Sequence, residues 1–211
     1  MGIGGFPRGR IVEIFGPANC GKTALALQSI AHLQQSGGGA AWIDVDHTFD
    51  PGFAAQLGVH LAGLPVAEPA TAEEALEMTR RFTVSRAVDL VVIDSAAALV
   101  TQLELKTGIG GGGAGLRNRV LASELRRLAW FASRAGACIV FLNQTRARME
   151  PSGELETSAG GPSLKLHASV RIALSATGRR VRFRVLKNNL AAAFTSGELE
   201  WHPGSGFAER R

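Results

Sequence analysis

Two cysteines in 211 residues, Cys20 and Cys138, are too few for a disulfide framework, and the natural reading is a reducing cytoplasm. No apolar run approaches the ~20 residues of a membrane span. The longest candidate, residues 88–100, is interrupted by Asp89 and Asp94. No basic stretch followed by an apolar one opens these residues, so no secretory signal peptide is expected in them. Acid is missing from one long segment. Between Thr157 and Gly197 there is no Asp or Glu, while Lys165, Arg171, Arg179, Arg180, Arg182, Arg184 and Lys187 are all basic. On a strand from Arg180 to Leu186, residues 180, 182 and 184 share one face. That face is either solvated or a stripe that tracks phosphates. The net charge of +5 and a pI near 10.0 add only a weak hint of a polyanionic partner.

What is present is sharper. Gly16-Pro17-Ala18-Asn19-Cys20-Gly21-Lys22-Thr23 fits G-x-x-x-x-G-K-[ST], and Ala24 continues it into a helix. Residues 10–15 before it read as a buried strand, and the Ala/Leu-rich stretch after it as a helix. A strand, a glycine turn and a helix N-terminus together make a cradle of backbone N–H groups for an anion. Lys22 reaches for β- and γ-phosphates in such a loop, and the Thr23 hydroxyl for Mg²⁺. The pattern predicts binding of a nucleoside triphosphate. Cys20 inside the loop is either a thiol activated by Lys22 and the helix end or a small filler beside the phosphates.

Strand and helix signals alternate along the chain, which predicts an α/β fold with a mostly parallel sheet flanked by helices. Strands are expected at 11–15, 40–45, 88–93 and 139–142, the last two nearly all apolar as buried parallel strands are. Helices are expected at 22–35, from Asp50-Pro51 to about Leu57, from Thr71 to about Ser85, and at 116–134. Six glycines in residues 108–115 predict a mobile loop, and residues 145–161 read as a second polar loop. Alternation at 170–174 and 181–185 predicts antiparallel strands near the C-terminal end. No linker divides the 211 residues, which suit one domain. Val91-Val92-Ile93-Asp94 ends an apolar strand in an acid, a Walker B pattern, so Asp94 is either part of the Mg²⁺ shell or a helix N-cap, roles that are not exclusive.

With those residues in view, the chain resembles the ATPase core of bacterial RecA recombinases from about Gly5 to Phe207. Gly9-Arg10-Ile11-Val12-Glu13-Ile14 leads into the glycine loop as in that family. Trp42 to Pro51, Asn143-Gln144, Gly160 to Arg171, and Val185-Leu186-Lys187-Asn188-Asn189 follow in the same order as the family's other motifs. The resemblance implies ATP with Mg²⁺, a metal site at Thr23 and Asp94, and a water-polarising carboxylate at Asp46. It implies adenine contacts from Asp50 and Phe53, a γ-phosphate sensor at Gln144 coupled to the loop after it, and a residue at Lys187 that reaches a neighbouring subunit's ATP. Single-stranded DNA would meet residues 102–115 and 145–161 and the basic segment 165–187, in recombination or repair.

The sequence departs from the family in ways that bear on activity. Asp46 stands where the family has Glu, one methylene shorter, and a misplacement of ~1 Å can cost roughly 10²-fold in rate. Asn189 replaces a second lysine that neutralises the neighbour's phosphate. The family's N-terminal filament-docking segment and its C-terminal domain have no counterpart in these residues, so weak self-assembly is expected. The polyglycine of the first loop and the lack of any aromatic between Thr145 and Gly161 remove groups that could wedge between bases. Two readings therefore stand: a DNA-dependent ATPase whose hydrolysis is expected to be slow, and an accessory or regulatory protein that holds nucleotide, with weak or no hydrolysis, and partners a repair or mutagenesis complex. A P-loop kinase is disfavoured, because no lid-like Arg cluster is apparent.

Overall fold

The computed structural model describes residues 2–107, 113–150, 153–159 and 161–209. In chain order the elements are β1 (Ile11–Gly16), α1 (Lys22–Gln35), β2 (Ala40–Asp44), α2 (Pro51–Gln56), β3 (Val66–Ala67) and α3 (Ala72–Ser85). There follow β4 (Leu90–Asp94), α4 (Gln102–Thr107), α5 (Gly113–Ala135), β5 (Cys138–Glu150), β6 (Gly153–Ser158) and α6 (Pro162–His167). The chain then stays in strands: β7 (Val170–Thr177), β8 (Arg180–Asn188), β9 (Ser196–His202) and β10 (Gly206–Glu209). Among the described residues no helix is long and apolar enough to cross a membrane.

The sheet order is β10-β9-β8-β7-β1-β5-β4-β2-β3, with β6 paired to the outer half of β5. From β7 through β3 the neighbours run parallel, and β8, β9 and β10 add antiparallel. This is the α/β architecture that the sequence predicts. β1, β2 and β4 are buried at every position, so apart from Glu13 within β1 and the aspartates that end β2 and β4 they are apolar rather than alternating with polar residues. The pleat divides the core in two. Val12, Ile14 and Trp42 pack with Leu27 and Ile30 of α1 on one face. Ile11, Ile43, Ile139 and Phe141 pack with Leu76 of α3 and Leu125 and Leu128 of α5 on the other.

Local signals account for the helix starts. Thr71 caps α3, its hydroxyl accepting from Glu74 N at 3.2 Å, while the Glu74 carboxylate accepts from Ala70 N at 3.0 Å. Asp50 caps α2 with Pro51 in the first turn. Two expectations need correction. Of the glycine loop, residues 108–112 lie outside the described residues, but 113–115 already belong to α5, and 102–107 form α4. Residues 145–150 and 153–158 are strands, not loop: β5 continues to Glu150 and pairs with β6 in an antiparallel ribbon with Thr145 opposite Ser158. Backbone pairing wins here because two runs of six residues, only two residues apart in sequence, pair along their whole length, with Gly153 opposite Glu150.

One polar group sits where apolar side chains are the rule. Glu13, in the middle of β1, has no exposed surface. Its carboxylate accepts from Arg171 Nε of β7 at 2.6 Å and from Asn143 Nδ2 of β5 at 2.9 Å. Asn143 also donates to Ala159 O at 2.9 Å, and Arg171 to Ser158 Oγ at 3.1 Å, so the return strand of the ribbon is tied to the same carboxylate. The Arg171 guanidinium lies 4.8 Å from the centre of the Phe15 ring. Breaking a buried pair strands a charge, whereas replacing both partners by apolar groups removes the problem. Arg171→Leu alone is expected to lower unfolding free energy by about 3–5 kcal/mol, and Glu13→Leu with Arg171→Leu to recover most of it. Urea unfolding of both variants checks this; additive losses would show that the pair is not a unit.

Candidate nucleotide-binding site

The glycine loop joins the end of β1 to the start of α1, and its backbone is built for close approach. Gly21, the N-cap of α1, has φ 92° and Asn19 φ 58°, both left-handed. A Cβ on Gly16 would fall 2.4 Å from Leu174 O, so that glycine is required by packing. No side chain caps α1, which leaves its first N–H groups directed out of the helix with the positive end of the dipole behind them. Lys22 folds back over the loop, donating to Gly16 O at 3.0 Å and Pro17 O at 2.6 Å. It also donates to Cys20 Sγ at 3.8 Å, and an ammonium held only by such neutral acceptors is available to an incoming anion.

Carboxylates gather beside this cation. Asp94, at the end of β4, accepts from the Thr23 hydroxyl at 3.0 Å, so the two expected metal ligands meet. The helical cap is not its role, since the short turn at Ala96–Ala98 is preceded by Ser95. Burial pushes the Asp94 carboxyl up to about 6; the nearby Asp46 and Asp44 charges push the same way, and the Thr23 hydrogen bond and Lys22 oppose them. Asp44, which the sequence reading passed over, is buried and accepts from Thr48 N at 3.1 Å and Phe49 N at 2.9 Å. Together with Asp46 N donating to Asp94 O at 3.1 Å, these bonds fix the turn that carries Asp46. Asp46 and Gln144 then line one cleft of about 200 Å³ with Thr145 and Ala159. Gln144 lies opposite Gly16 in the β1–β5 register.

A second cleft of about 320 Å³ opens on the other side of the loop, walled by Asn19 to Ala24 and by Phe53, Ala176, Gly178, Trp201 and Phe207. Phe53 and Trp201 have ring centres 6.1 Å apart, and Trp201 and Phe207 5.1 Å apart in an edge-to-face pair. Phe207 is held by Gln28 of α1, which donates to its carbonyl at 2.8 Å and accepts from its N–H at 2.7 Å. Asp50 spends its carboxylate on the α2 cap, accepting from Phe53 N at 3.0 Å, and so orients the aromatic wall. Trp201 and Phe207 had no role in the sequence reading. A larger, mostly apolar cleft of about 600 Å³ lies near the opposite ends of the strands, between α1 and residues such as Phe183 and Leu199. The anion-directed groups are not there.

The remaining expected residues lie elsewhere. Lys187, on β8, donates to Lys165 O at 3.1 Å and Leu166 O at 2.9 Å at the end of α6, and does not line the clefts beside its own glycine loop. Burial pulls its ammonium below the usual lysine range, Arg171 adds to this, and Glu13 opposes it. Cys20 is buried, and burial raises its thiol against the pull of Lys22, which speaks against an activated thiol. Arg180, Arg182 and Arg184 do share an exposed face of β8. Yet Glu198 of β9 pairs with Arg182 at 3.0 Å, and Glu200 sits opposite Arg180. Lys165 bonds to the Thr157 hydroxyl. The side chains of residues 146–150 lie outside the described ones.

Comparison with known proteins adds an independent finding. The family described as the RecA N-terminal domain matches residues 1–208. Protein RecA 1 of Myxococcus xanthus is 42% identical over 217 residues, covering 98% of this chain and 64% of that protein. Protein RecA of Borreliella afzelii is 40% identical over 99% of this chain and 61% of its own length, and that of Chloroflexus aggregans 42% over 95% and 60%. The chain thus spans a little over three fifths of the curated relatives it matches.

The raised Asp94 carboxyl makes stability depend on pH. Its folded-state value lies above the ordinary carboxylate value near 4, so the folded form takes up the proton first, and stability falls as pH rises from about 4 through about 6. Asp94→Asn removes that loss while keeping an acceptor for Thr23. The variant is expected to be more stable than the parent at pH 8 by on the order of 2 kcal/mol, and no more stable at pH 4. Denaturant titrations at the two pH values check it, and an equal difference at both would overturn the assignment.

Proposed function

The chain belongs to the RecA family, and from that premise we propose that it binds ATP with Mg²⁺ at the glycine loop and hydrolyses it slowly, under the control of single-stranded DNA, in recombination or repair. The observation that carries the reading is the 3.0 Å bond between Thr23 and Asp94 beneath the uncapped N-terminus of α1. A hydroxyl and a carboxylate side by side are hard oxygen donors of the kind Mg²⁺ takes, so the residues fit that ion. Mg²⁺ held there would offset phosphate charge.

The chain's own residues supply the rest. Lys22 leaves the Gly16 and Pro17 carbonyls for the β- and γ-phosphates, while the α1 N–H groups hold the same oxygens. Phe53, Trp201 and Phe207 offer ring faces and edges to the base. Asp46 orients and polarises the attacking water across the cleft it shares with Gln144, and Gln144 reports the γ-phosphate to the ribbon that starts at Thr145. DNA would meet residues 102–115 and the ribbon within 145–161, with part of segment 165–187. Lys187 would serve the ATP of a neighbouring copy in a weak assembly.

A second reading, an accessory protein that holds nucleotide with little turnover, draws support from two observations. Asp46 is a short carboxylate, and the basic segment has fewer open charges than its sequence suggests. Arg171 is committed to Glu13, Lys165 to Thr157, Arg182 to Glu198 and Lys187 to the end of α6.

Lys22→Ala is expected to abolish ATP binding with the melting temperature retained. Calorimetry checks it, and parent-like binding would place the nucleotide elsewhere. Asp46→Glu is expected to raise turnover by about tenfold or more in the presence of single-stranded DNA, as the longer side chain regains reach. No ATPase activity in either protein, with ATP still bound, would select the accessory reading.

A further inference from the structure

One buried hydroxyl beside the nucleotide site is left out of every hydrogen bond. Among the described residues, two buried side-chain polar atoms lack a partner, the Trp42 indole nitrogen and the Ser95 hydroxyl. Trp42 belongs to the apolar core that packs on α1. Ser95 follows Asp94 at the end of β4 and is 2% exposed. Its backbone is extended, as an N-cap's is, and it precedes the short turn Ala96–Ala98. A serine in that place ordinarily also turns its hydroxyl onto an N–H two or three residues on. Here the Ser95 carbonyl takes Ala98 N at 3.2 Å, and the hydroxyl makes no cap. A hydroxyl taken out of water and left unpaired is costly, and the local bond that would satisfy it is not made. Such a group calls for a role outside the fold itself.

The surroundings of Ser95 name its acceptor. The peptide group joining Asp94 to Ser95 clamps the turn that carries Asp46: its carbonyl accepts from Val45 N at 2.7 Å and from Asp46 N at 3.1 Å. On the other side, Ala97 and Ala98 line the cleft that holds Asp46 and Gln144. Ser95 therefore lies between the backbone that fixes Asp46 and the wall of the Asp46 cleft. Among the described residues the Asp46 carboxylate accepts no hydrogen bond, so an unspent donor and an unspent acceptor sit on adjoining segments. A carboxylate has two oxygens, and one can take a hydroxyl while the other faces a water. Hydroxyl-to-carboxylate bonds are short and roughly twice as strong as neutral ones, which suits them to hold a side chain still. We propose, on the ATPase reading of this site, that Ser95 is a positioning residue: with nucleotide bound, its hydroxyl donates to one carboxylate oxygen of Asp46 and holds this short side chain so that the other oxygen meets the attacking water. Ser95 touches neither the nucleotide nor the water. It acts through Asp46, and it matters because an aspartate must be held closer to its target than a longer carboxylate.

The test uses the full chain with ATP, Mg²⁺ and oligothymidylate. Ser95→Ala is expected to lower kcat about tenfold while KM for ATP changes less than about threefold. Without nucleotide, its melting temperature is expected to equal or exceed the parent's, because the substitution removes an unpaired polar atom. In the Asp46→Glu background, where the longer side chain reaches the water unaided, the same substitution is expected to lower kcat less than about twofold. Parent-like kcat in Ser95→Ala, or an equal loss in both backgrounds, would overturn the role of Ser95 and leave the ATPase reading standing. Kept kcat with ATP binding weakened about tenfold would do the same, since the hydroxyl would then serve the nucleotide directly. A lowered melting temperature would show that the hydroxyl already serves the fold. If the parent and Asp46→Glu bind ATP in calorimetry but neither hydrolyses it, the ATPase reading falls and this role falls with it.

Discussion

A carboxylate sealed inside the central strand is the constraint on which the rest of the arrangement depends. Glu13 cannot be left charged and unpaired in that position, so β7 must bring Arg171 and β5 must bring Asn143 to within hydrogen-bond distance. Those two demands fix the strands on either side of β1, and with them the level at which the glycine loop emerges. Asn143 then accepts from Gln144 N at 2.9 Å, one residue further along. The glutamine facing the cleft is therefore set on a strand whose register is held by an ionic contact as well as by the backbone ladder. Apolar packing alone would allow a neighbouring strand to slide; a buried charge penalises each alternative register.

The site built on that frame concentrates opposed charges without cancelling them. One helix end and one ammonium face three carboxylates, two of them largely buried. In isolation this is costly: burial, and after it the Asp46 and Asp44 charges, push the Asp94 carboxyl up. A ligand that carries both anionic oxygens and a divalent cation would satisfy both halves together. Strain of this kind in a free protein is a common mark of a binding site, because groups arranged for a ligand are badly arranged for one another.

Much of this was legible in the residues themselves. The glycine loop, Thr23, Asp94 and the buried strands are local patterns, decided by a few neighbours in sequence, and they stand where the spacing put them. The ribbon is hard to read locally because the Pro and Gly residues between 145 and 161 outweigh the strand character of β5 and β6. Trp201 and Phe207 were missed for a different reason. They belong to half-exposed antiparallel strands, where the apolar pattern is weak, and their approach to Phe53 follows from a sheet order that local periodicity does not encode. The partners of the basic stripe were hidden in the same way, since Glu198 and Glu200 lie beyond the acid-free segment and meet it only across the β8–β9 pairing.

The aromatic wall has a consequence for how the site comes into being. Phe207 closes one side of the cleft from β10, at the edge of the sheet, and is pinned to α1 by both bonds of Gln28. The glycine loop is nearly two hundred residues earlier in the chain. During synthesis the loop and its helix leave the ribosome long before the strand that faces them. On the proposed reading a nascent chain would thus present the phosphate cradle while lacking the wall for the base, and discrimination among nucleotides would arrive only with β10.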